Sequence, residues 1–106
     1  MFYNKLIRDG IPSLIELAGK GYRIRTLDHD EYSARLNEKL DEEVSELHRT
    51  ETPSKALEEL ADILEVLYAL ATVHGYTRQD LEAAYSRKHA ERGGFDKRIL
   101  LIEADE

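Results

Sequence analysis

Four acids carry the sharpest chemical signal in this chain: Glu43, Glu46, Glu59 and Asp62. They form two pairs with helical spacing, Glu43-x-x-Glu46 and Glu59-x-x-Asp62, with twelve residues between them. At about 100° per residue, Glu59 falls inside an apolar stripe made by Ala56, Leu60, Ile63, Val66, Leu67 and Leu70. Asp62 lies about 60° away, at the edge of that stripe. Glu43 is placed in the same way among Tyr32, Leu36, Leu40 and Leu47, with Val44 further round and Glu46 at the edge. An ionised carboxylate facing an apolar core costs several kcal/mol unless it is paired or binds a metal. Lys39 and Lys55 stand four residues before Glu43 and Glu59 and offer ion pairs. Those pairs do not account for a second acid on each helix. The remaining acids of this region, Glu38, Asp41, Glu58 and Glu65, read as solvated faces.

Four carboxylates without a histidine or cysteine among them suit a hard cation, Mg²⁺ or Mn²⁺. Mg²⁺ keeps several waters on such a site and usually also binds phosphate oxygens, which points to a nucleotide or another polyphosphate. Cysteine is absent, so disulfides, thiolate zinc sites and cysteine nucleophiles are excluded. The four histidines, His29, His48, His74 and His89, share no ligand spacing and read as structural or solvated. No Ser/His/Asp set is evident. Fifteen basic against 22 acidic residues give a net charge of -7, a poor basis for binding nucleic acid through its phosphates. No apolar run approaches the roughly 20 residues of a membrane span, and the first residues contain no secretory core. The expected setting is the cytoplasm.

The elements that must position these acids follow from periodicity and punctuation. With 106 residues, 42% of them hydrophobic, the chain is expected to form one domain over residues 1–106. No repeat, low-complexity stretch or linker divides it. Pro12 opens a short helix that runs to about Ala18 and stops at Gly19-Lys20-Gly21. Residues 22–27 alternate and read as a short strand. Asp28 or Asp30 caps a second helix, from about Glu31 to Arg49. After the break at Thr50–Pro53, Ser54 caps a third, from about Lys55 to His74, ending at Gly75. Thr77 and Asp80 nearly match a capping box for a fourth, which runs to about Arg92. Gly93-Gly94 reads as a turn with positive φ. Residues 98–102 read as a second strand, which can pair with 22–27. The fold expected is all-α with four helices, to which the two strands would add a small ribbon. A short break between the second and third helices lets them pack antiparallel, so that the four acids converge.

Basic residues should complete a phosphate site. Lys88 and Arg92 lie one turn apart on one face of the fourth helix. Asn4, Lys5 and Arg8, near the start of the chain, are the next candidates. Tyr68 and Tyr76 can stack on a base or serve the helical core.

Written out, Glu42-Glu43-x-x-Glu46 followed by Glu59-x-x-Asp62 resembles the signature of the all-α nucleoside triphosphate pyrophosphatases. That group contains MazG, the dimeric dUTPases and phosphoribosyl-ATP pyrophosphohydrolase. The resemblance extends to Tyr3-Asn4-Lys5-Leu6-Ile7-Arg8-Asp9-Gly10-Ile11-Pro12, to Glu58–Val66 and to Arg92-Gly93-Gly94-Phe95. These segments resemble a MazG-like branch of house-cleaning pyrophosphatases and cover nearly the whole chain. Either acid pair alone is a weak signal; both at this spacing, with the flanking segments, form a specific one.

The resemblance implies a four-helix MazG-like core and hydrolysis of a nucleoside triphosphate, standard or modified, between its α and β phosphates. By position, Glu43, Glu46, Glu59 and Asp62 become Mg²⁺ ligands. Glu42 sits beside the metal as ligand, supporting group or proton acceptor. The family also places a lysine near the phosphates in the region of Lys88. Three further expectations complete the reading. One alternative substrate is phosphoribosyl-ATP, in histidine biosynthesis. Another reading keeps the scaffold as a non-catalytic binding module. The wide apolar arc of the third helix implies a homodimer or a higher homo-oligomer.

Overall fold

Proline, glycine and short polar side chains delimit the helices. The computed structural model describes residues 1–106. Helix α1, Ile11–Leu17, has Pro12 in its first turn. It ends in a Schellman turn, where Gly19 N–H donates to Glu16 at 2.9 Å and Lys20 N–H donates to Ile15 at 3.1 Å. The turn needs a left-handed residue, and Gly19 supplies it with φ 73°. Helix α2, His29–Arg49, is capped by Asp28, which accepts from Glu31 N–H at 2.9 Å. Helix α3, Pro53–Val73, is capped by Thr52, which accepts from Lys55 N–H at 3.3 Å. The sequence pointed to Ser54, two residues later. The helix starts earlier because Pro53 needs no N–H partner at the first position and has its φ preset. Helix α4, Arg78–Arg92, opens on a complete capping box between Thr77 and Asp80 and stops at Gly93, with φ 79°.

The fold is all-α, with four helices in sequence and no strand. The expected ribbon is not formed. Residues 22–27 are held by side chains: Tyr22 donates to Glu16, and Arg25 grips both oxygens of Glu31 at 2.9 and 2.6 Å. At the other segment, Arg98 turns into left-handed backbone, φ 56°, and its N–H donates to Phe95. That turn removes the first residue of the expected strand. Alternation favours an extended chain, but a strand also needs a neighbour to pair with.

Helices α2 and α3 make the main contact of the fold, and α4 leans on α3 more lightly. Thr50, Glu51 and Thr52 connect α2 to α3. Glu43 and Glu59 meet although each lies about two turns from that connection, so the helices run antiparallel. Leu36 on α2 and Val66 on α3 are the buried apolar residues, at 3% and 6% exposure. Near the start of α4, Arg78 lies 4.2 Å above the Tyr68 ring, and Tyr68 donates to Glu82 at 3.0 Å. Helix α1 packs on none of the others at backbone distance. No helix is long and apolar enough to cross a membrane.

The apolar arc of α3 divides into two faces. Ala56, Ile63, Val66 and Leu70 are covered or half-covered on the side of Glu59. Leu57, Leu60, Leu64 and Leu67 remain exposed, at 67%, 50%, 45% and 38%. Their 3-4-3 spacing is that of a helix-pairing seam. The chain is also extended, with a radius of gyration of 18.1 Å, where about 13 Å is usual for this length.

Candidate metal centre

The antiparallel α2–α3 pair brings three of the four acids together. One carboxylate oxygen each from Glu43, Glu59 and Asp62 lies within 4.8 Å of the others. Helical period explains the set: Glu59 and Asp62 are one turn apart on α3, and Glu43 approaches them across the helix interface. Glu43 is buried, with 9% of its surface exposed. Lys39 Nζ stands 3.5 Å from Glu43 Oε1, so one of the two ion pairs read from the sequence is formed. Glu59 has no such partner. Its Oε2 is shielded from solvent and accepts no hydrogen bond.

Crowding shows in the protonation of this group. The Glu59 carboxyl is pushed up from 4.5 to about 7. The neighbouring Glu43 carboxylate, to which a protonated Glu59 can donate, is the main cause, followed by desolvation and by the charges of Glu43, Asp62 and Glu46. A carboxyl raised in this way binds its proton more tightly in the folded state than in the unfolded one. Its contribution to stability is therefore fully present below about pH 4.5 and is lost as pH rises through about 7. Thermal melts of the EDTA-treated protein are expected to show a falling midpoint between pH 5 and pH 8. Added Mg²⁺ should restore more of that midpoint at pH 8 than at pH 5, because protons no longer compete for the carboxylates. A midpoint that rises steadily to pH 8 without metal would contradict this account of Glu59.

These residues fit a divalent cation. The donors are all carboxylate oxygens, one buried oxygen lacks any partner, and like charges converge with too few cations to offset them. The other residues singled out in the sequence lie at different distances from this centre. Glu46 is exposed and bound by Arg49 at 2.8 Å; its charge reaches Glu59, but its oxygens lie outside the close set. Arg8 reaches across 54 residues of sequence to Asp62 Oδ1, at 2.5 Å. Asn4 and Lys5 line a pocket of about 140 Å³ together with Arg35, Lys39 and Glu42 on α2. Lys88 and Arg92 are exposed and form no ion pair within the chain. Tyr68 is engaged by Arg78, and Tyr76 is exposed.

The sequence reading did not single out Arg35. Its signal is spacing: Arg35, Lys39 and Glu42 follow one another along one face of α2, where the N-terminal segment crosses.

The sequence model of the phosphoribosyl-ATP pyrophosphohydrolase family matches residues 16–89, well over half of the chain. An uncharacterized protein of Mycolicibacterium smegmatis is 54% identical over 54 residues, which are 51% of this chain and 55% of the relative. The chain thus spans about half the length of this curated relative. No solved structure matches it.

Proposed function

Because this chain belongs to the phosphoribosyl-ATP pyrophosphohydrolase family, within the all-α MazG-like pyrophosphatase superfamily, we propose that it is a Mg²⁺-dependent nucleoside triphosphate pyrophosphohydrolase. Water would add across the anhydride between the α and β phosphates, giving the monophosphate and pyrophosphate. The observation that carries this reading is the convergence of Glu43, Glu59 and Asp62 around a buried oxygen that has no partner. Mg²⁺, or Mn²⁺ in its place, would supply neutralisation of phosphate charge and a lowered pKa for the attacking water.

The chain's own groups divide the remaining work. Glu43, Glu59 and Asp62 would hold the cation, with Glu46 joining from the rim on release from Arg49. Glu42, exposed beside the same face of α2, is the proposed proton acceptor or supporting group. Arg8 reaches Asp62, while Lys5 and Asn4 stand beside Lys39 and Glu42 on α2; all three are the proposed holders of phosphate oxygens from the N-terminal segment. Lys88 and Arg92 are the proposed phosphate contacts from α4. Positioning and charge compensation are most of what such a transfer requires. We treat residues 1–106 as one such domain. A second copy of the chain is the proposed cover for the exposed Leu57, Leu60, Leu64 and Leu67.

The family match favours a second substrate, phosphoribosyl-ATP itself. Against it, the matched region begins at residue 16, and the N-terminal segment that places Arg8 on Asp62 lies outside it. Incubation with Mg²⁺ and a panel of standard and modified triphosphates, plus phosphoribosyl-ATP, separates the two. The expected result is pyrophosphate, not orthophosphate, released from one or more triphosphates. Pyrophosphate from phosphoribosyl-ATP alone would select the second reading. Metal binding without release from any of these would leave the scaffold as a binding module.

A further inference from the structure

Two basic side chains already stand on the converging acids. Arg8 bridges Asp62, and Lys39 lies 3.5 Å from Glu43. Neither cation belongs to the helix turn that carries Glu59, and Glu59 is left without one. The N-terminal segment therefore crosses the helix pair from one side to the other. Asn4 to Leu6 lie against α2 beside Arg35 and Lys39, and Arg8 ends on α3. Asn4, in this segment, takes a left-handed conformation, φ 47°.

We propose that Arg8 and Lys39 are exchangeable counter-ions, which neutralise Asp62 and Glu43 until a divalent cation takes the three carboxylates and then turn to the polyphosphate of the nucleotide. Formal charge supports the exchange. With all three ionised, the carboxylates against Arg8 and Lys39 leave one net negative charge at the centre. A divalent cation reverses that to one net positive charge with both basic side chains still in place. The same local structure then attracts a polyphosphate that it repelled before. Release is easy for Arg8, whose side chain is 54% exposed, because exposed ion pairs hold their partners weakly. Its planar fork suits bidentate binding of phosphate oxygens. Lys39 is more enclosed, at 22% exposure, and moves less as it passes from Glu43 to a phosphate oxygen.

The nucleotide half of this proposal rests on the pyrophosphohydrolase reading; the counter-ion half does not. Calorimetric titration with Mn²⁺, without nucleotide, tests the latter. Arg8→Gln is expected to bind Mn²⁺ about two- to fivefold more tightly, since a competing cation is gone. In the presence of Mn²⁺, the same variant should bind the non-hydrolysable α,β-methylene-ATP about tenfold more weakly. Arg8→Lys should return both values toward those of the unaltered chain, which a purely structural role for the guanidinium would not produce. Lys39→Gln should move both values in the same directions as Arg8→Gln. Unchanged or weaker Mn²⁺ binding by Arg8→Gln would overturn the exchange. Failure of the functional reading has a different signature: no pyrophosphate release by the unaltered chain, with the Arg8 dependence of Mn²⁺ binding intact.

Discussion

Glu59→Gln is expected to lower Mg²⁺-dependent pyrophosphate release by about 100-fold or more while raising the thermal stability of the metal-free protein at pH 8. The two effects have one origin. Groups that merely support a metal ligand commonly matter 10- to 100-fold, so loss of a proposed ligand should reach at least the upper end of that range. Without metal, however, the same carboxylate is a burden. Its Oε2 is shielded and unpaired, and it sits among Glu43, Asp62 and Glu46 with its pKa pushed up to about 7. At pH 8 it is ionised and repelled by its neighbours. Glutamine keeps the shape, removes the charge and can donate an N–H to Glu43. Steady-state pyrophosphate assays and melts in EDTA measure the two effects on one preparation. A variant that lost stability and activity together would mark Glu59 as a packing residue, and the metal centre would have to be sought elsewhere.

If the proposed homo-oligomer forms through α3, Leu60→Asp or Leu64→Asp is expected to raise its dissociation constant by about 30-fold or more, with helix content retained. Both leucines belong to the exposed seam of α3, with Leu57 and Leu67 one turn to either side. An aspartate there would have to be desolvated on association. Within a single chain the change is mild, because the α2-facing side of α3 is made by Ala56, Glu59, Ile63, Val66 and Leu70. Sedimentation velocity over a range of concentrations reads the association, and circular dichroism reads the helices. Should the unaltered chain sediment as a monomer at micromolar concentration, the seam would need another explanation. The radius of gyration of 18.1 Å would then describe the free molecule rather than one part of an assembly.

Local signals in the sequence were read well where the physics is local. The capping box of Thr77 and Asp80, an aspartate cap at Asp28 or Asp30 that the structure assigns to Asp28, the helix stops at Gly19 and Gly75 and the positive φ of Gly93 each involve only a few neighbouring residues. Helical periodicity likewise put Glu43 and Glu59 on apolar faces before any packing was known. Local reading erred at the start of α3 because Ser54 and Thr52 are both competent caps. Pro53 favours Thr52, since its preset φ and missing N–H suit the first helical position. It erred again at residues 22–27 and 98–102. Alternation reports a preference for extended backbone, whereas a strand requires a partner at hydrogen-bonding distance.

By itself, then, the sequence determined four helices, their approximate limits and two acid pairs, each with one member on an apolar face and the other at its edge, because each depends on residues within about a turn of one another. Only the tertiary structure decided which acids converge. It joined Glu43, Glu59 and Asp62 and left Glu46 with Arg49. It formed the Lys39–Glu43 pair and left Glu59 without a cation, although the two lysine spacings are the same. It also carried Arg8 to Asp62 across 54 residues. Spacing along a helix limits which side chains can meet, but the approach of a second helix and the path of the N-terminal segment determine which of them do.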